Sequence, residues 1–242
     1  MGDKLNRKQF LHRCLCILLL AYVPTPFAQT AERDKVDSVQ MDTIDTRLVV
    51  TPDFETFDLE RFERIRLGPR RSNGAETLPD GTRILMQQRN SGSSFAKIPV
   101  NSHFGLAKIY YPNGNIREKG LLFVYDHFRK GTWHYFDEKG NLVESIDHDK
   151  PFKFTFEQVL EFAAKEGLVF MKTPVDRTVF GPVMPELRRG HNPETGEAWW
   201  DLSWFRGIPA GAIQHIRLCG KTGKEILRGY SIFGKPTDIN VE

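Results

Sequence analysis

The chain reads as an α+β protein: an antiparallel β-hairpin-repeat sheet with flanking helices, followed by a small C-terminal α+β domain. Three observations predict this. The stretch from about 104 to 148 matches itself when shifted by 26 residues, with a glycine turn in each copy. Segments beginning at Asp58 and Thr155 set apolar residues at helical spacing behind side chains suited to capping. A Trp-bearing strand pattern and a strand, turn, strand pattern close the sequence.

The repeat is the strongest internal signal. The shift superposes Gly105 on Gly131, Ile109 on Tyr135, Tyr110 on Phe136, Gly114 on Gly140, Asn115 on Asn141, Ile116 on Leu142 and Glu118 on Glu144, with no gap. Each unit runs through an aromatic-rich strand, a turn ending in Gly-Asn and a second strand, which is the pattern of a hairpin. Gly114 and Gly140 are the residues able to take the positive φ such a turn needs.

The flanking segments follow. Leu59, Phe62 and Ile65 recur at helical spacing, with Asp58 placed to cap and Gly68-Pro69 placed to stop the helix. Pro79-Asp80-Gly81 then predicts a turn before an alternating strand from Thr82 to Met86, and strands near 76–100 complete the hairpin sheet. Thr155 and Gln158 make a capping-box pattern, Phe156, Val159, Leu160 and Ala163 share one face, and Gly167 closes the segment. A Pro-rich stretch leads to strands at Trp199–Phe205 and Ile213–Leu218, and Gly220-Lys221-Thr222-Gly223 turns into Glu225-Ile226-Leu227.

At the N-terminus, Lys4, Arg7, Lys8 and Arg13 precede an apolar run from Cys14 to Val23, then Pro24, Pro26 and Ala28-Gln29-Thr30-Ala31. This order predicts a signal peptide over 1–28, hence an exported protein, periplasmic or secreted, with residues 29–55 as a linker carrying a short extended patch at Leu48-Val49-Val50. The run is too short to span a bilayer comfortably.

Export changes the charge reading. The whole chain of 242 residues carries +3, but 1–28 holds four basic residues against Asp3, so the remainder has 30 of each sign. A neutral domain lacks the electrostatic footprint of nucleic-acid binding. Cys14 and Cys16 leave with the signal, so Cys219 stands alone and reads as a small apolar residue at a strand end.

The chemistry-bearing residues form no catalytic pattern. Of His103, His127, His134, His148, His191 and His215, only His215 has a second His or Cys within five residues, Cys219, and one such pair falls short of a zinc ligand set. Asp147-His148-Asp149 reads as an exposed polar strand end, and Pro193 breaks any helix after His191. No nucleophile elbow, phosphate loop or dinucleotide fingerprint occurs. No catalytic residue, cofactor or metal is therefore expected.

Tyr-Tyr-Pro-Asn-Gly-Asn-Ile from Tyr110, and Gly-Thr-Trp-His-Tyr-Phe-Asp-Glu-Lys-Gly-Asn-Leu from Gly131, resemble the MORN-variant repeat of bacterial YwqK-type antitoxins. The resemblance covers about 104–148 and is specific for the repeat, not for an activity. It implies a sheet of hairpins over 56–150 that binds other macromolecules, sometimes as a toxin's antidote. Residues 151–242, a small α+β domain, are weakly similar to PepSY-type modules, and an unrelated small α+β domain fits the same order of elements.

The expected function is that of a non-enzymatic protein-binding module, in its most concrete form an antitoxin or immunity-like protein whose partner is a protein. A structural envelope protein and an unrecognised hydrolase are the competing classes. Tyr110, Tyr111, His134 and Phe136 with Asp137 and Glu138 are the partner-binding candidates, as an aromatic centre with a polar rim. Cover of these aromatics by the Thr155 helix or by the linker is the opposing expectation.

Overall fold

The computed structural model describes residues 45–68, 74–125, 128–173, 185–205, 211–232 and 240–241. The proposed signal peptide, the first part of the linker, most of the Pro-rich stretch and His127 lie outside these residues.

The first helix, α1 (Leu59–Leu67), begins where the sequence places it: the Asp58 carboxylate accepts the Arg61 N–H at 2.9 Å. Seven antiparallel strands follow: β1 (Ala75–Thr77), β2 (Arg83–Arg89), β3 (Gly92–Ile98), β4 (Phe104–Tyr110), β5 (Ile116–Phe123), β6 (Arg129–Phe136) and β7 (Leu142–Asp147). They pair in chain order, so the sheet is a meander with β1 and β7 at its edges. Phe62 and Ile65 of α1 pack on Ile84 and Met86 of β2.

The 26-residue period is geometric as well as sequential. In the first unit Tyr110 pairs with Ile116, and in the second Phe136 pairs with Leu142. Both ladders shift register at the same place, leaving Arg117 and Val143 as the equivalent bulged residues. The turns also match: Gly114 N–H donates to the Tyr111 carbonyl at 2.9 Å, and Gly140 N–H to the Asp137 carbonyl at 3.0 Å. Gly114 and Gly140 hold φ of 88° and 89°, a region that strains a branched side chain.

The second helix, α2 (Phe156–Lys165), has both arms of its capping box between Thr155 and Gln158. A second antiparallel sheet comprises β8 (Glu186–Asn192), β9 (Glu197–Phe205), β10 (Ala212–Cys219), β11 (Glu225–Ile232) and β12 (Asn240–Val241), in the order β12-β11-β10-β9-β8. The sequence pattern misses β8, where His191-Asn192 reads as loop. Its residues are mostly polar or charged, and it is held by one fully buried anchor, Leu187, and by pairing along β9.

The two sheets share a core. Phe123 of β5 and Phe156 of α2 join Leu187, Trp200, Leu202, Ile216 and Leu218 of the second sheet in one cluster. Arg189 of β8 stacks over the Phe128, Phe152 and Trp200 rings and donates to Asp149 at 2.8 Å, so its charge is neutralised where it is buried. All described residues belong to one compact unit.

Residues 45–57 run along this assembly. Arg47 donates to the Val100 carbonyl at 2.9 Å, and Thr56 forms a bridge with Asn115 in the first repeat turn. Glu55 is paired with both Lys108 of β4 and Lys119 of β5. Burial pushes the Glu55 carboxyl up, but hydrogen bonds from the two lysines outweigh it and hold the group below the usual carboxylate range.

Candidate partner-binding surface

Of the partner-binding candidates, the structure brings the aromatics together inside the protein. Tyr110 and Phe136, 3% and 4% exposed, form a cluster with Ile116. Phe57, at the entrance to α1, covers it, with its ring 5.3 Å from that of Tyr110. The cover thus comes from the chain that precedes the sheet. The Thr155 helix instead packs on the other end of the strands, where Phe156 meets Phe104 at 4.9 Å between ring centroids. Burial drives the Tyr110 hydroxyl well above the usual phenol range, with the Glu55 and Asp58 charges adding to it.

His134 is also interior. Its Nδ1 lies 2.8 Å from the Ser145 hydroxyl, and burial, with the Lys119 charge behind it, lowers the imidazole pKa. Tyr111 is half-buried and donates its hydroxyl to the Phe136 carbonyl at 2.9 Å, tying the first turn to the second.

The rim candidates behave differently. Asp137 shapes its own turn, accepting the N–H groups of Lys139 and Asn141 at 2.9 Å, and the Asn141 amide and backbone bonds lower its pKa. Glu138 is exposed, and its carbonyl accepts the Asn113 and Asn115 side-chain amides at 3.0 and 2.8 Å. These bonds stack the two repeat turns.

The surface that remains available lies one strand further on. β7 is the edge of the seven-stranded sheet, and all of its side chains except that of Ile146 are exposed. Leu142 and Val143 are 47% and 69% exposed, and Phe54, also exposed, lies against Gly140 just before them. Glu144 and Asp147 are the strand's only charged residues. The pattern concealed this, because the 26-residue register equates Leu142 with Ile116, which is fully buried. The one available signal was position: the second strand of the last repeat has no following hairpin to pair with.

A cleft of about 680 Å³ opens on the sheet's core face between residues 45–50 and α2, over Phe104, Leu121 and Thr132. The ion pairs on its walls include Lys130 with Asp149 at 3.0 Å and Arg47 with Asp45 at 2.7 Å. Burial raises the Asp149 pKa, but Lys130 and Arg189 outweigh it, so the carboxyl stays ionised and is a poor proton donor at neutral pH. Asp149 is therefore a member of an ion-pair network joining the two sheets, where the sequence reading expected an exposed strand end. Among the described residues no group of three His, Cys, Asp or Glu side chains is placed to hold a metal ion. Cys219 ends β10, and a hydrogen bond with the Thr222 hydroxyl and backbone amides in the turn lower its thiol pKa.

No family model matches this chain, and no match was found among curated proteins or solved structures. Among the described residues no helix is long and apolar enough to cross a membrane.

Proposed function

We propose that this chain is an exported, non-catalytic protein-binding module that acts by occupying a partner protein's surface, in the manner of the antitoxins and immunity-like proteins its repeats resemble. The single observation behind the reading is the β7 edge, a six-residue strand with exposed apolar residues that no described strand covers. Unpaired strand edges are either blunted or used for binding by strand addition. The interior position of Tyr110, His134 and Phe136 moves the contact from the aromatic face to this edge, while Glu138 remains beside it in the last turn.

The experiment is site-specific photo-crosslinking in the producing cell. A photoreactive residue at Val143 is expected to give a discrete adduct with an envelope protein, and one at Val169, equally exposed in the segment after α2, is expected to give none. The absence of an adduct, or the same adducts from both positions, favours a structural envelope protein without a dedicated partner. Export is checked on the same material: mass spectrometry should find an N-terminus near Gln29 or Ala31, and an intact Met1 refutes it.

A further inference from the structure

We infer that the occupant of the β7 edge is an extended segment carrying basic side chains three residues apart, added as a further strand; the inference rests on the reading of β7 as the contact surface. Hydrogen-bonding capacity comes first. The His148 N–H donates inward to the Gly131 carbonyl at 3.0 Å. Alternation along the strand then turns the N–H groups of Ser145 and Asp147 outward, away from β6. These are the donors an added strand would meet.

Charge selects the class of strand. Glu144 lies opposite Tyr135 and Asp147 opposite Thr132, so their side chains leave opposite faces of the sheet. Both are exposed, and β7 contains no basic residue. Between 137 and 150 there are five carboxylates and two lysines. Three of these carboxylates already have a partner: Asp149 is paired with Lys130 and Arg189, Asp137 caps its own turn, and Asp147 accepts the Asp149 N–H through Oδ1 at 2.9 Å while its side chain stays exposed. Glu138, Glu144 and, beyond its one turn bond, Asp147 present their charge to solvent around the edge.

A strand with lysine or arginine at positions three apart places one cation against Glu144 on one face and another against Asp147 on the other. Its two intervening residues meet Ser145 and Ile146, and the residue beyond the first cation meets Val143. Cross-strand pairs of opposite charge favour this register, and like charges oppose it. The same rule disfavours a second copy of this chain, because two β7 strands side by side bring four carboxylates and no base together. It also turns away acidic surfaces, such as anionic lipid and nucleic acid.

The test uses the full exported chain and two labelled, capped synthetic strand peptides of alternating valine and threonine. One has lysines three residues apart, and its twin has glutamates there. Fluorescence anisotropy should show the lysine peptide binding at least ten-fold tighter than its twin, with the preference shrinking as salt rises. Glu144→Lys with Asp147→Lys should reverse the preference, and the milder Glu144→Gln with Asp147→Asn should erase it. Ser145→Pro, which removes an outward N–H and leaves the inward ladder bonds in place, should abolish binding of both peptides. Equal binding of the twins, or a preference that survives charge reversal in a variant that melts like wild type, overturns the basic-strand assignment. If the Val143 adduct persists in that case, the binding-module reading stands and only its ligand class falls. Failure of both peptides together with loss of the adduct removes both.

Discussion

The two hairpin repeats have the same backbone and different fates. Tyr110 and Phe136 are both buried, Arg117 and Val143 are both bulged, and Gly114 and Gly140 turn at the same φ. Yet Ile116 is fully buried while its counterpart Leu142 is 47% exposed. Lys119 is interior and paired with Glu55, while its counterpart Ser145 sits on an exposed strand and bonds His134. The first repeat has neighbours on both sides, and its turn is pinned by residues 55–57; the second ends the sheet. Local sequence fixes the hairpin, and the hairpin's place in the array fixes which of its residues face the core and which stay exposed at the open edge.

The contrast is broken or sharpened most directly at the counterpart apolar residues. Ile116→Ala should cost about 2–5 kcal/mol, because it opens a cavity among Tyr110, Phe136 and Phe57. Leu142→Ala should cost under about 1 kcal/mol, as a half-exposed site leaves little to collapse. Urea unfolding of the two variants measures the difference, and equal midpoints would make the repeats equivalent after all.

The next effect lies at Glu55. Glu55→Gln leaves the interior Lys119 ammonium without its carboxylate, at a cost of roughly 3 kcal/mol, whereas Ser145→Ala loses one hydrogen bond, about 1 kcal/mol. The pH dependence has a definite sign. Glu55 has a folded pKa below its unfolded one, so its contribution is complete above about pH 4.5 and is lost as pH falls through the folded value. His134, lowered by burial and Lys119, works in the same direction, its contribution falling away from about pH 6.5 downward. Acid titration of stability should therefore be shallower in Glu55→Gln than in wild type, and an unchanged titration would show the pair to be inert.

A smaller difference separates the two turn glycines. Either one replaced by Val meets positive-φ strain of on the order of 1 kcal/mol or more. At Gly114 the added Cβ meets nothing within 4 Å, whereas at Gly140 it stands 2.3 Å from the Phe54 ring, which must move. Gly140→Val should melt below Gly114→Val, and the reverse order would remove the contact between Phe54 and the last turn. The smallest stability effect is expected at the bulge. Val143→Lys on the exposed edge should change stability by no more than about 0.5 kcal/mol in urea unfolding, and a larger loss would show the bulge to be packed.

Much of the local structure was legible in the residues themselves. Asp58 and Thr155 mark helix starts because their side chains satisfy N–H groups that a helix leaves unpaired. The glycine turns and their strands could be read because positive φ and aromatic or branched strand residues are local requirements. The candidate site was much less legible. Strand alternation separates Trp133 and Tyr135 from His134 and Phe136, but it does not say which set finds a cover. Trp133 lies over Gly120 and donates to the Leu121 carbonyl at 3.0 Å, so the other face is covered there too. The polar stretch before α1 gave no sign that Glu55 and Phe57 would close the first repeat, because a carboxylate is matched to lysines more than fifty positions away only after the sheet has formed.

The sequence by itself determined the hairpin period, its turn chemistry and the two helix caps, which depend on residues within a few positions of one another, and the charge balance, which is a count. Only the tertiary structure decided that the aromatic cluster is core, that β8 is a strand and that β7 is the open edge. Those outcomes depend on contacts between residues far apart in the chain and on the fact that a meander must end somewhere, leaving its last strand with one side unpaired.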